Sequence, residues 1–155
     1  MLKEEIKQEI ESYIHEHCPN RRGACIEAMM IVQRHCGWLS DQSMRDLAGF
    51  LEMSPDELDG VATFYNHLFR KPVGRHVIWI CDSVTCWVMG YEAMLEYVQK
   101  RLGVKSGETT PDGRFTLLPI QCLGACHHAP AFMIDNDLHE DLTPQKFDEI
   151  LADYK

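Results

Sequence analysis

The period of the apolar positions changes half-way along the 155-residue chain. In the first half, Leu2, Ile6, Ile10, Tyr13 and Ile14 recur at steps of three and four, which is one face of an amphipathic helix. Cys18-Pro19-Asn20 closes it. A second helix is predicted over 24–35, with Ile26, Met29, Met30 and Val32 apolar and Gly37 placed to end it. Ser40-Asp41 caps a third helix carrying Met44, Leu47, Ala48 and Leu51. Ser54-Pro55-Asp56-Glu57 is a start signal in three respects. Ser54 caps, Pro55 suits the first helical position, and Glu57 reaches back as a capping box. The fourth helix is expected to run on towards Phe69, with Gly60 weakening its middle. Lys71-Pro72-Val73-Gly74 breaks the pattern and marks a boundary.

Beyond the boundary the pattern is that of strands. Val77-Ile78-Trp79-Ile80 is a short apolar run suited to a strand buried on both faces. A helix over 90–102 follows, with Tyr91, Met94, Leu95 and Val98 apolar and Gly103 ending it. A second strand over 115–120 then implies a right-handed parallel crossover. Pro119 removes a ladder donor from that strand, so an edge position or a bulge is expected. Ala131-Phe132-Met133-Ile134 reads as a third strand, Asp135-Asn136-Asp137 as a turn, and a short return strand includes Leu138 and His139. Thr143-Pro144 opens a last helix with Phe147, Ile150 and Leu151 on one face. The reading is a mixed α/β (α+β) chain: an N-terminal helical bundle over 1–72, then a small sheet domain over 73–155. The order βαβ–ββ–α is that of a thioredoxin-like sheet.

Charge and composition narrow the function. The formal net charge is −9, which argues against nucleic-acid binding, since phosphate neutralisation needs clustered Lys and Arg. No apolar run approaches the roughly 18–20 residues of a membrane span, so no direct membrane insertion is expected. The start, Met1-Leu2-Lys3-Glu4-Glu5-Ile6, is charged and lacks the apolar stretch of a signal peptide. A bacterial cytoplasm is the simplest expectation. Seven cysteines in a reducing compartment turn attention from disulfides to metal or redox chemistry.

Four of the seven form two close pairs. Cys81-Asp82-Ser83-Val84-Thr85-Cys86 is spaced C-x4-C, and Cys122-Leu123-Gly124-Ala125-Cys126 is spaced C-x3-C. Each pair begins where a predicted strand ends. Strand ends of a parallel βαβ unit lie on one side of the sheet, the side that ligand sites favour. Two loops distant in sequence are thereby expected to present four thiolates around one point. A [2Fe–2S] cluster takes four Cys thiolates, two on each iron, with one pair per iron as the natural division. Cys86 is expected near a helix N-terminus, where the dipole favours the thiolate, and Gly124 lets the second loop turn tightly. A structural zinc site also takes four Cys, so spacing alone leaves zinc open. The C-x-x-C of a thiol–disulfide enzyme is absent. Four unrelated core cysteines are the bland alternative.

The segments Gly60-Val61-Ala62-Thr63-Phe64-Tyr65, Arg70-Lys71-Pro72-Val73-Gly74-Arg75-His76, Cys81-Asp82-Ser83-Val84-Thr85-Cys86, Asp112-Gly113-Arg114-Phe115-Thr116-Leu117-Leu118-Pro119 and Cys122-Leu123-Gly124-Ala125-Cys126 resemble the E subunit of NADH–quinone oxidoreductase, respiratory complex I. The mitochondrial counterpart is its flavoprotein-2 subunit. The resemblance runs over about 22–155. It implies a thioredoxin-like [2Fe–2S] domain behind a helical bundle, with Cys81, Cys86, Cys122 and Cys126 as ligands of one cluster. It also implies docking on the subunit that binds FMN and oxidises NADH, with a larger iron–sulfur subunit in the same complex. The cluster's role there is to hold one flavin electron temporarily. That places the chain on the cytoplasmic face of the bacterial inner membrane, through its complex. Equivalent diaphorase subunits of NAD-linked hydrogenases and formate dehydrogenases share the cysteine pattern, and a zinc-stabilised assembly module is the non-redox alternative. No glycine-rich nucleotide loop is present and no catalytic residue is assigned, so no catalysis is expected from the isolated chain.

Other residues have default readings. His127 and His128 follow the last cysteine; they read as surface loop histidines, or as groups that tune a nearby cluster. Trp38, Phe64, Tyr65 and Phe69 are expected in buried contacts, within the bundle by default and otherwise against the flavin-binding partner. Cys18, Cys25 and Cys36 read as structural, and the eight Met as core filler.

Overall fold

A computed structural model describes residues 2–154. Met1 and Lys155, the outermost positions of the two expected domains, lie outside the described residues. The described chain separates into two compact units, one ending at Pro72 and the other beginning at Val73.

The first unit is helical. It contains α1 (Glu4–His17), α2 (Cys25–Cys36), α3 (Asp41–Leu51) and α4 (Pro55–Phe64), with a 3-10 turn at Arg21–Ala24. The helix starts are fixed by local hydrogen bonds. The Ser40 hydroxyl accepts from the Ser43 N–H at 3.1 Å. Ser54 and Glu57 form the full capping box, with Ser54 N–H donating to Glu57 at 2.9 Å and Glu57 N–H donating to Ser54 at 3.1 Å. Gly37 closes α2 at φ 81, a left-handed conformation that a Cβ disfavours. The apolar faces meet in one core that includes Ile6, Ile10, Met29, Val32, Leu47, Leu51 and Leu58.

The fourth helix stops short of the expected end. It finishes at Phe64, because tertiary hydrogen bonds draw the following chain away. Phe69 N–H donates to Gln33 Oε1 at 2.6 Å and its carbonyl accepts from Leu39 N–H at 2.8 Å. Arg70 holds the end of this segment through Asp59 at 2.6 Å, Asp41 at 2.7 Å and the Leu39 carbonyl. The early stop corrects the expectation for two aromatics. Phe64 is 79% and Tyr65 41% exposed, their rings 5.1 Å apart edge to face, while Leu68 takes the buried place. Trp38 and Phe69 are half-buried, as is Cys18, but Cys36 at the end of α2 is exposed rather than structural.

The second unit is a four-stranded mixed sheet: β1 (His76–Cys81), β2 (Phe115–Ile120), β3 (Phe132–Ile134) and β4 (Asp137–His139), in the order β2-β1-β3-β4. β1 pairs parallel with β2 and antiparallel with β3, and β3 pairs antiparallel with β4. Placing β2 at the edge accommodates Pro119, which is exposed. Gly74 permits the close approach that starts the parallel pair. A Cβ there would meet backbone atoms of residues 113–115 at 3.0 Å. Three helices accompany the sheet: α5 (Val84–Val88), α6 (Tyr91–Leu102) and α7 (Pro144–Asp153). Ile78, Ile80, Leu117, Phe132 and Ile134 of the sheet pack with Met94 and Val98 of α6 and Phe147 and Leu151 of α7. The short α5 is additional to the expected elements.

Candidate metal centre

The first cysteine loop grows directly out of β1. Cys81 is its last residue, and the ladder continues past it: Cys81 N–H donates to the Ala131 carbonyl at 3.2 Å, and Asp82 N–H to the Ile120 carbonyl at 3.0 Å. The central strand thus fixes the start of the loop from both sides. Ser83 then precedes α5, with Trp87 N–H donating to its carbonyl at 2.8 Å, and Cys86 lies in that one-and-a-half-turn helix. Cys81 and Cys86 are 2% and 1% exposed. The Cys81 Sγ lies 3.6 Å from Ser83 Oγ and 3.9 Å from the Gln121 carbonyl, which belongs to the second loop.

The second loop leaves the end of β2. Gly124 turns the chain at φ 80 and sends its N–H to Cys122 Sγ at 3.4 Å. Cys126 opens the 3-10 turn Cys126–His128, and its Sγ is 3.9 Å from that of Cys122. Both of these cysteines are exposed.

Electrostatics tie the loops together. Burial acts to raise the Cys81 thiol, but hydrogen bonds outweigh it. They come from the backbones of Ser83 and Leu123, the Ser83 side chain and Cys86, and they hold Cys81 below its ordinary range. Leu123 is again a residue of the second loop. Cys86 behaves oppositely. Burial pushes it up, a hydrogen bond from the Ala131 backbone opposes this, and negative charge on Cys81 and Cys126 adds to the rise. The expected helix-end depression of Cys86 is therefore overturned. A five-residue helix has little dipole to offer, and desolvation dominates.

The structure sets the Cys81–Cys86 pair and the Cys122–Cys126 pair on neighbouring loops, with Cys81 Sγ 3.9 Å from the Gln121 carbonyl and the charge of Cys126 acting on Cys86. Among the described residues, no three of His, Cys, Asp and Glu crowd a point closely enough to hold a single metal ion. The thiols are grouped instead as two pairs, with backbone N–H donors directed at three of the four sulfurs. That donor set suits a [2Fe–2S] cluster, which takes two thiolates per iron and whose potential responds to N–H···S hydrogen bonds.

His127 and His128 are exposed and face carboxylates, His128 Nδ1 at 3.0 Å from Asp141 and His127 Nε2 at 4.0 Å from Glu140. Sequence reasoning missed the surface beside the first pair. Val84, Trp87, Val88 and Met89 are 74%, 56%, 69% and 57% exposed. The signal was the apolar run Trp87-Val88-Met89 straight after a cysteine loop. The role of Ala131, whose N–H and carbonyl serve the first pair, carried no sequence signal.

Comparison with known proteins adds an independent line. A family model described as thioredoxin-like [2Fe–2S] ferredoxin matches residues 8–155. The NADH-quinone oxidoreductase E subunit of Pseudomonas aeruginosa is 45% identical over 99% of this chain and 92% of its own length. The E subunit of the Escherichia coli enzyme is 47% identical over 96% of this chain and 89% of its own. Among solved structures, an NAD+-reducing [NiFe]-hydrogenase in the H2-reduced state matches with a TM-score of 0.70 at 23% identity. That match covers 83% of this chain but only 22% of the hydrogenase chain, and it shows a shared fold.

Proposed function

The chain belongs to the thioredoxin-like [2Fe–2S] ferredoxin family and to the E-subunit group of NADH-quinone oxidoreductases, and from that premise we propose that it is the [2Fe–2S] electron-transfer subunit of such an enzyme, with Cys81, Cys86, Cys122 and Cys126 as the ligands. The placement of the two cysteine pairs on neighbouring loops at the ends of β1 and β2 supports the reading.

A [2Fe–2S] cluster, when bound, takes up and returns one electron at a time. The chain's own part is to hold and present it. Cys81 and Cys86 supply one pair of thiolates from buried positions, and Cys122 and Cys126 supply the other at the surface. Backbone N–H groups of Ser83, Leu123, Gly124 and Ala131 meet the sulfurs and offset the negative charge that reduction adds. The hydride chemistry belongs to FMN and NADH on a partner subunit. This reading assigns that subunit to the face where Val84, Trp87, Val88 and Met89 are exposed beside the ligand loops, because single-electron exchange with the flavin needs close approach. The larger iron–sulfur subunit is the second partner in the complex. No helix among the described residues is long and apolar enough to cross a membrane. The proposed location is the cytoplasmic face of the bacterial inner membrane, reached through the complex.

Anaerobic reconstitution of the full chain with iron and sulfide tests the cluster. The expected result is a reddish-brown protein with visible absorption and a one-electron paramagnetic signal on reduction. A colourless protein holding stoichiometric zinc overturns the reading. Co-purification from membranes tests the partner, with the FMN-binding subunit as the expected neighbour and an NAD-linked hydrogenase or formate dehydrogenase as the outcome that reassigns the host complex.

A further inference from the structure

Asp82 stands between Cys81 and the start of α5, and the proposed function makes no use of it. One of its carboxylate oxygens, Oδ1, is buried and has no hydrogen-bond partner. The backbone at this point is held, with Asp82 N–H on the Ile120 carbonyl at 3.0 Å and Cys81 N–H on the Ala131 carbonyl at 3.2 Å. A buried acceptor left without a donor costs stability, so the enclosed Oδ1 of this half-buried residue does not serve packing. The carboxylate also shares surroundings with the Cys81 sulfur. Tyr91, the first residue of α6, is raised above its ordinary range by burial first, and then by negative charge on Asp82, Cys81 and Glu92.

We propose that the half-buried carboxylate of Asp82, with its Oδ1 enclosed and unpaired, sets the reduction potential of the cluster held by Cys81, Cys86, Cys122 and Cys126, lowering it. The proposal rests on the ligand assignment above. On reduction one electron enters, no proton need follow, and the site gains one negative charge. A fixed negative charge close by disfavours that gain. It acts strongly where water and hydrogen-bond donors do not screen it. The many carboxylates of the solvated surface are screened, whereas Asp82 Oδ1 is enclosed. The backbone N–H groups on the sulfurs act in the opposite direction, so Asp82 is the counterweight within the first loop.

The test is a redox titration of the cluster-loaded full chain at one pH, followed by its paramagnetic signal, for the wild type, Asp82→Asn and Asp82→Glu. At the ambient potential where the wild type is half reduced, Asp82→Asn is expected to raise the ratio of reduced to oxidised cluster about tenfold, equivalent to about 59 mV for a one-electron couple. Asp82→Glu keeps the charge and is expected to stay within about twofold of the wild type. Cluster-free Asp82→Asn is expected to unfold in denaturant no earlier than the wild type, because the variant removes a charge from a carboxyl group whose Oδ1 is enclosed without a donor. An unchanged potential in Asp82→Asn overturns the proposal, and so do equal shifts in both variants. If Asp82→Asn fails to take up a cluster, Asp82→Ser replaces it with the same expectation. Failure of both neutral variants, with a loaded wild type, makes Asp82 a builder of the loop and overturns the proposal. A wild type that takes up no cluster removes the ligand assignment itself, and the proposal falls with it.

Discussion

The two cysteine loops leave the same side of one sheet yet are built by opposite means. Cys81 and Cys86 are 2% and 1% exposed, whereas Cys122 and Cys126 are exposed. The first loop inherits its geometry from the core, since the ladder of β1 runs on through Cys81 and Asp82. The second is shaped by its own turn, at Gly124, and by one N–H···S contact. The buried pair is split, Cys81 down and Cys86 up, because desolvation and hydrogen bonds of fixed direction both act strongly inside the protein. One loop is therefore as stable as the sheet, and the other only as stable as its turn.

Four perturbations test this contrast. The largest effect belongs to the sulfurs. Cys→Ala at 81, 86, 122 or 126 is expected to abolish cluster uptake, read as visible absorption after reconstitution, while the same change at Cys18 or Cys36 leaves it intact. Equal losses at all seven cysteines break the assignment. Next comes the core beneath the first loop. Phe132 is fully buried and pairs with Ile80 of β1. Phe132→Ala is expected to cost about 3–5 kcal/mol in denaturant unfolding and to disturb Cys81 and Cys86 before Cys122 and Cys126. Gly124→Ala probes the second loop alone. A Cβ at Gly124 would touch nothing within 4 Å, so the cost is backbone conformation at φ 80, about 1–2 kcal/mol. Faster loss of cluster absorption to an iron chelator, with global unfolding moved by less than that amount, is the expected result. A global loss as large as that of Phe132→Ala contradicts a turn-built loop.

The smallest effect serves as a reference in the helical unit. Glu57 is held down at about 2 by the Ser54 backbone N–H and by Arg22. Its folded value lies below the unfolded one, so its contribution is present above about pH 4.3 and fades as pH falls towards 2. Wild type is therefore expected to lose stability relative to Glu57→Gln across that window, with cluster retention at pH 7 the same in both. A difference that persists unchanged down to pH 2 contradicts the capping-box geometry.

Local chemistry was readable in the sequence where the hydrogen bonds are themselves local. Ser40, Ser54 and Thr143 cap the expected helices because donor and acceptor lie three residues apart. The strands emerged from their composition, and Pro119 marked an edge from the lack of an N–H. Features decided by distant partners were not readable. The end of α4 depends on Gln33 meeting Phe69 across 36 residues, so the sequence by default places Phe64 and Tyr65 in a bundle core that they do not reach, and their exposure leaves the alternative of a partner contact. Helix α5 is too short to show a period, and its exposed apolar side chains run against the rule that loops are polar. The spacing of the four cysteines is plain, but the raised Cys86 thiol depends on burial and on the charge of Cys126 in the other loop. Neither has a signature in residues 81–86.

The outward position of Cys122 and Cys126 bears on how the centre is stocked. With the sheet already folded, iron and sulfide from solution have a route to the proposed ligands that requires no strand to separate. The same doorway admits oxygen and chelators to a chain on its own. On the proposed ligand assignment, the lifetime of the cluster is then expected to depend on whether a partner covers that doorway, and not on the fold alone.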